Sequence, residues 1–180
     1  VAFNFEKEGE VLKLDNLVFE SMQNQLNGQI KYSAPDFLTA EINSEPLYPG
    51  EFQNLVPGFE PEIDPSISFG IDYQHDSLDF VFTAMADNQK INLEVKATNT
   101  GKLLEGKINE KIDYNLKGDL TSISVDQWTG DTSMYYLINS NFNINGLGVS
   151  KNALIASGEI NVYDSQLMEY AIENINLTGK

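Results

Sequence analysis

The stretch SLDFVFTAMADNQKINLEVKAT, Ser77–Thr98, alternates apolar and polar residues almost without a break. Leu78, Phe80, Phe82, Ala84 and Ala86 fall at every second position, and so do Ile91, Leu93, Val95 and Ala97. Lys90, Asn92, Glu94, Lys96 and Thr98 fill the other phase of the second run. Successive side chains of a β-strand point to opposite faces, so this spacing describes two strands with one greasy and one wet face. Asp87 and Asn88 lie between the runs, and both residue types tolerate the left-handed backbone of a hairpin tip.

The same period extends in both directions. Val1 to Glu6 and Val11 to Glu20 read as strands around KEGE, with a phase slip at Asp15-Asn16 that predicts a β-bulge. Leu26 to Ala34 and Phe37 to Asn43 read as a hairpin, and Ile67 to Gln74 as the strand before the decisive pair. Leu103 to Leu120 reads as one long strand, with Gly106 and Gly118 as places to bend. Tyr136 to Gly146, Leu154 to Tyr163 and Leu167 to Gly179 follow, the last with a second phase slip at Glu173-Asn174. Helix is scarce. Glu51 to Val56 offers one turn, and Ser124 to Gly130 a short helix with Ser124 as N-cap and Gly130 as its stop. Glu45 to Pro65 holds five of the six prolines and is expected to leave the sheet, because proline cannot donate to an interior ladder.

The expected fold is all-β: about ten or eleven antiparallel strands in a curved sheet, folded into an open hydrophobic groove with one or two short helices. The alternative is a closed β-sandwich. Both use the same apolar face, made of Phe80, Phe82, Ile91, Leu93, Val95, Ile112, Tyr114, Leu116, Phe142, Ile144, Ile160, Val162 and Ile172. In the first these residues line a binding surface; in the second they fill a core. Periodicity does not separate the two.

Composition narrows the function classes. The chain has 180 residues and a formal charge of -16, with pI near 4.2. That balance argues against nucleic acid, whose backbone recruits Lys and Arg. It also argues against docking on anionic headgroups. Cysteine is absent, which removes disulfides, thiolate metal sites and a Cys nucleophile. His75 is the only histidine and sits in the polar turn Gln74-His75-Asp76-Ser77, where it reads as solvated. No HExxH, Gly-rich phosphate loop or Ser-His-Asp order is found. Three carboxylate groups, Asp126-Asp131, Glu60-Glu62-Asp64 and Asp72-Asp76-Asp79, have oxygen ligands for Ca²⁺ but none has EF-hand spacing. No catalytic residue, metal or cofactor is expected. Trp128, the one tryptophan, reads as a plug at one end of the apolar interior, or in the sandwich alternative as a carbohydrate-stacking platform.

No stretch approaches the ~20 apolar residues that span a bilayer, and no charged n-region precedes an apolar h-region. The chain opens and closes inside strands, as expected of a piece of a longer protein. EINSEPLYPGEFQNLVPG and GDLTSISVDQWTGDT echo one another as strand, short helix and fresh strands. The expectation is a single all-β segment, 1–180, of a longer repeat protein, with two stacked units at 1–101 and 102–180.

The last sixty residues carry a resemblance. A strand ends in Gly146-x-Gly148, then Gly158-x-Ile160-x-Val162-x-Asp164-Ser165 follows, then Tyr170-x-Ile172-x-Asn174-Ile175-x-Leu177-x-Gly179. This pattern resembles the repeat of AsmA-like proteins, above all the TamB (translocation and assembly module B) branch. EFQNLVP, ending at Pro57, looks like that family's short helix, and DLTSISVDQWTGD like a second copy. The resemblance implies an envelope protein anchored in the inner membrane and crossing the periplasm. It implies a hydrophobic groove for phospholipid acyl chains, and outer-membrane assembly proteins as further partners. It brings no catalytic residues.

Overall fold

A computed structural model of the protein describes residues 1–52, 61–108, 110–133, 135–148 and 154–179. Eleven strands form one antiparallel sheet whose spatial order follows the chain. They are β1 (Ala2–Glu8), β2 (Val11–Glu20), β3 (Gln25–Ser33), β4 (Phe37–Ser44), β5 (Ser66–Gln74), β6 (Ser77–Ala86) and β7 (Gln89–Thr98), then β10 (Asp113–Ser124), β11 (Tyr136–Leu147), β12 (Ile155–Leu167) and β13 (Tyr170–Gly179). Between β7 and β10 the chain makes a two-strand flap, β8 (Gly101–Lys102) and β9 (Lys107–Ile108), around a 3-10 turn at Leu103–Glu105. α1 (Val125–Thr129) follows β10, and a second 3-10 turn, Pro49–Phe52, follows β4. The sheet does not close, since β1 and β13 are its two edges.

The closed β-sandwich is not formed. The accessible surface is 11498 Å², about a third more than the ~8,700 Å² expected of a compact protein of this mass. In a sandwich Phe80, Phe82, Leu93, Val95 and Leu116 would be sealed; here each is half-buried. Among the described residues the buried apolar side chains are Ile63, Tyr73, Ala84, Ala86, Ala97, Ile112 and Ile123, and they gather toward the two rims where strands turn. The result is a single open, curved sheet with reinforced ends.

One long strand was expected over Leu103 to Leu120, and the structure corrects this. Gly106 takes φ 72 directly after the 3-10 turn, and the flap intervenes before β10 begins at Asp113. A Gly can take that left-handed backbone without strain, so the residue expected to bend a strand ends one instead. The slip at Asp15-Asn16 is a bulge as expected: Leu14 faces Ile30, Leu17 faces Gly28, and Asn16 has φ 52. The slip at Glu173-Asn174 is matched in β12 around Asp164, φ 40, so these two strands keep register and the extra residue is absorbed against β11. Ser122, φ 52, marks a further bulge in β10 that puts Ile123 back on the apolar face opposite Ile138.

Both rims are tied by side chains. At the helix rim, the Glu51 carboxylate accepts hydrogen bonds from the Ser21 hydroxyl, from Gln23 N–H at 2.9 Å and from Asn24 Nδ2 at 2.5 Å. Asn24 Oδ1 in turn accepts Tyr48 N–H at 2.6 Å. These bonds, Ser21's first, hold the Glu51 carboxyl below its usual value of 4.5. A carboxyl with a lowered folded pKa contributes stability above its unfolded pKa and loses it as pH falls through the folded value. Acidification below about pH 4.5 is therefore expected to free this corner. Hydrogen exchange at Gln23 should accelerate on acidification relative to mid-sheet amides, and Glu51→Gln should remove the pH dependence.

At the opposite rim, the Tyr73 hydroxyl lies 2.7 Å from His75 O and 2.9 Å from Gly101 O, and Gly101 N–H donates to Asp76 Oδ1 at 2.6 Å. Tyr73 is 1% exposed and packs where the β5–β6 turn meets the flap. His75, φ 56, is an exposed turn residue.

Candidate functional site: an open apolar sheet face

Cross-strand register turns eleven local alternations into continuous rows. One row crosses every strand: Phe5, Leu14, Ile30, Ala40, Ile71, Phe80, Val95, Leu116, Ile144, Gly158, Gly179. The next runs Leu17, Gly28, Ile42, Phe69, Phe82, Leu93, Gly118, Phe142, Ile160, Leu177. Toward the helix rim, Ile67, Ala84, Ile91, Leu120, Ser140, Val162 and Ile175 align. Toward the flap rim, Leu12, Tyr32, Leu38, Tyr73, Leu78, Ala97, Tyr114, Gly146 and Ala156 align. Directly opposed residues of antiparallel strands share a face and touch, so these rows form one apolar strip. At ~4.8 Å per strand it is ~50 Å long, and rows ~6.7 Å apart make it ~20 Å wide.

Of the thirteen lining residues expected from sequence, eleven fall in these rows. Phe80, Val95, Leu116 and Ile144 share one; Phe82, Leu93, Phe142 and Ile160 another; Ile91 and Val162 the third; Tyr114 the fourth. Ile172 lies past the phase change, opposite Ser165, on the same face. Ile112 precedes β10 and is buried at the flap rim, its carbonyl accepting Gly148 N–H at 2.8 Å. It closes an end and does not line the strip. Sequence reasoning missed the half contributed by β1 to β5: Phe5, Leu14, Ile30, Ile42, Phe69 and Ile71. Their alternation was visible, but only register shows that they continue the same surface.

Two glycines keep the strip smooth. The Phe142 ring lies across Gly118, so a Cβ built there would fall among the ring carbons, and the Tyr114 ring lies across Gly146 in the same way. The rings therefore lie along the sheet where they would otherwise stand up from it. Gly118→Val would lift the Phe142 ring. The expected cost is ~2 kcal/mol, typical of overpacking, read as a lower urea midpoint.

The other face is polar. Asn92, Asp119, Asn141, Asn161 and Asn176 form one row across five strands. Asn115 Nδ2 donates to Asn143 Oδ1 at 2.6 Å and to Asn145 Oδ1 at 2.9 Å. Lys96 pairs with Asp79 at 3.3 Å, and Lys13 with Glu8 at 2.8 Å. A concavity of about 940 Å³ opens on this side near the flap rim and is lined by Asp72, Asp76, Asp79, Lys96, Asp113 and Asn115 among others. Among the described residues no three of His, Asp and Glu converge on a point that could hold a metal ion; Glu60 lies outside them.

Trp128 is half-buried and anchored by its edge. Its indole N–H donates to Gln89 Oε1 at 2.9 Å. The same oxygen accepts Ser124 N–H at 2.8 Å, and Gln89 Nε2 donates to Gln127 Oε1 at 2.5 Å. Gln89, 4% exposed, thereby fastens α1 to the β6–β7 hairpin. Gly130 ends the helix with φ 74, as its sequence position predicts, whereas Ser124 makes no side-chain cap. Glu62 N–H donates to Gln127 O at 2.8 Å, so the Pro-rich excursion and α1 meet at one rim. The apolar strip between the two rims has no second layer over it among the described residues.

Comparison with protein-family models, curated proteins and solved structures finds no match to this chain.

Proposed function

We propose that this chain is a segment of a TamB/AsmA-like envelope protein and that its apolar face forms part of a conduit for phospholipid acyl chains. The observation that carries the reading is the apolar strip running across all eleven strands with no second layer over it among the described residues. Its ~20 Å width exceeds one leaflet's tails, ~15 Å as half of a ~30 Å hydrocarbon core. Its length admits several lipids in file. The lining is aliphatic and aromatic, with no directional polar group to trap a lipid at one point. Removing a CH₂ from water is worth ~0.8 kcal/mol, and an open face covers one side of a tail, so ~0.4 kcal/mol per CH₂ is a fair measure. Such holding is firm enough for capture and shallow enough for sliding.

Headgroups stay in solvent beside a protein carrying -16 charges, which discourages lateral adhesion to anionic membrane. In this reading the chain acts without catalysis or cofactor. It works on the periplasmic side of the cell envelope, within a full-length protein anchored in the inner membrane, and serves outer-membrane biogenesis together with outer-membrane assembly proteins. The test is lipid itself. Native mass spectrometry and organic extraction of the purified chain should recover phospholipid, and a fluorescent acyl probe should bind with micromolar affinity. Purified protein with no extractable acyl chains and no probe binding would remove the proposal.

A further inference from the structure

The strip has two long margins, and they differ in charge. Among the described residues, the helix-rim connections (21–24, 45–65, 87–88, 125–135 and 168–169) hold eight carboxylates and no lysine. They include Glu45, Glu51 and Glu62 on the Pro-rich excursion and Asp126 and Asp131 around α1. Lys90, just past this rim, already belongs to β7, on the polar phase opposite Met85 and Thr121. The cations gather elsewhere. Of the chain's 11 lysines, Lys102, Lys107 and Lys111 lie between Asn99 and Ile112, in the connection that forms the flap. Glu105 and Glu110 share that connection and leave it net positive, in a chain of charge -16.

The flap starts beside the strip. The Tyr73 side chain stands on the apolar row nearest this rim, and its hydroxyl donates to Gly101 O at 2.9 Å; Lys102 is the next residue. Lys102 and Lys107 then occupy directly opposed register positions on β8 and β9. Like charges so opposed cost a sheet stability, and an anion set between them offsets that cost. The carboxylates flanking the flap belong to the other side of the sheet. Asp72, Asp79 and Asp113 line the concavity on the polar face, and Asp76 accepts Gly101 N–H at 2.6 Å.

We infer, on the conduit reading above, that the strip takes phospholipid in one orientation: a net-anionic headgroup such as phosphatidylglycerol lies against the flap, and the tails run along the strands toward the helix rim. The carboxylates of the helix rim repel a phosphate there, and the lysines of the flap attract one. The lengths agree, since tails of ~15 Å that start at the flap end within a strip ~20 Å wide. Attraction across solvent is screened beyond ~10 Å, so it orients a lipid without trapping it, and a file of lipids can still slide.

The chain lacks cysteine, so introduced thiols report cleanly. Ser77, at the flap end of β6, and Asn88, past its helix-rim end, are both exposed and lie ~35 Å apart along the strand direction. Ser77→Cys and Asn88→Cys, each spin-labelled, are mixed with one molar equivalent of phosphatidylglycerol bearing a nitroxide at its tail end. Pulsed electron paramagnetic resonance should give the shorter distance to Asn88→Cys. Lys102→Gln combined with Lys107→Gln should reduce the preference for phosphatidylglycerol over uncharged diacylglycerol about fivefold or more at low salt, with far-UV circular dichroism unchanged. High salt should do the same to the unaltered chain. Soluble glycerophosphate at equal concentration should not displace the lipid. Lipid that binds with its tail end equidistant from the two labels, or nearer Ser77→Cys, would overturn the orientation and leave the conduit standing. An unchanged preference in the double variant would overturn the role of the flap, and displacement by glycerophosphate would make it a site for free phosphate. Absence of any bound lipid would remove the conduit and the orientation together.

Discussion

Val95→Glu is expected to abolish acyl-probe binding while the sheet stays folded. Val95 sits mid-strip, opposite Phe80 on one side and Leu116 on the other, and is half-buried. In the free protein a carboxylate there reaches water across the open face, so the stability loss should be the ~1–2 kcal/mol of a half-buried valine's packing. A tail lying over that position would have to strip water from the charge, at a cost of several kcal/mol. Binding should weaken at least about tenfold, the equivalent of ~1.4 kcal/mol, and transfer past the site should stop. Phe82→Glu, one row away, should behave alike. Glu94→Gln, on the polar face opposite Val81 and Lys117, should leave probe binding unchanged. The readouts are probe titration and circular dichroism on each variant. Cooperative unfolding of Val95→Glu at room temperature would mean that the strip is a sealed interior.

Gln89→Leu should be the most damaging single change at the rims. It removes the acceptor for the Ser124 and Trp128 N–H groups and the partner of Gln127, at a position 4% exposed. Two part-buried donors left without an acceptor each cost in the lower half of ~1–3 kcal/mol, so a loss of about 3 kcal/mol and a Tm lower by ~6–12 °C follow. Trp128 is the sole tryptophan, so its emission reports this rim alone. A red shift preceding the circular-dichroism transition would show α1 detaching first. Gln89→Glu keeps an acceptor oxygen and is expected to retain more stability than Gln89→Leu. Equal losses in the two variants would mean that the hydrogen bonds to Ser124 and Trp128 carry little of the rim's stability.

The two effects differ because the molecule divides its labour. A one-layer sheet cannot bury its middle, so its sealed side chains lie at the ends: Tyr73, Ala97, Thr100 and Ile112 at the flap rim, and Ile63, Ala84, Ala86 and Ile123 at the helix rim. The rims hold the strand ends in place. The centre stays available, and its cohesion comes from cross-strand pairs such as Phe69 with Phe82 and from rings laid over Gly118 and Gly146. Substitutions in the centre are thus expected to act on binding before stability, and those at the rims on stability before binding.

Local information is enough to place the strands. Period-two spacing depends only on each residue's neighbours along the chain, so Ser77–Thr98 reads correctly by itself, as do the Asp15-Asn16 bulge and the Gly130 helix stop. The absence of cysteine and the acidic balance are likewise properties of composition. The break between Gly101 and Ile112 was not recoverable in this way, because Leu103, Leu104 and Ile108 continue an apolar pattern while Gly106 takes a left-handed turn fixed by the flap. Gln89 gave no signal at all. It becomes structural only where Ser124 and Trp128, more than thirty positions away, arrive beside it.

The alternation along this chain dictates that it forms strands with one apolar face, because a pleated backbone admits no other arrangement of those side chains. Whether that face would be covered was never encoded in the period. It was settled by register and by the order of strands in space, which lay Phe5 through Gly179 in one unbroken row and bring no second layer over it among the described residues. Pairing between distant segments is a long-range choice, made by the total free energy of the assembled sheet, and no window of sequence contains it.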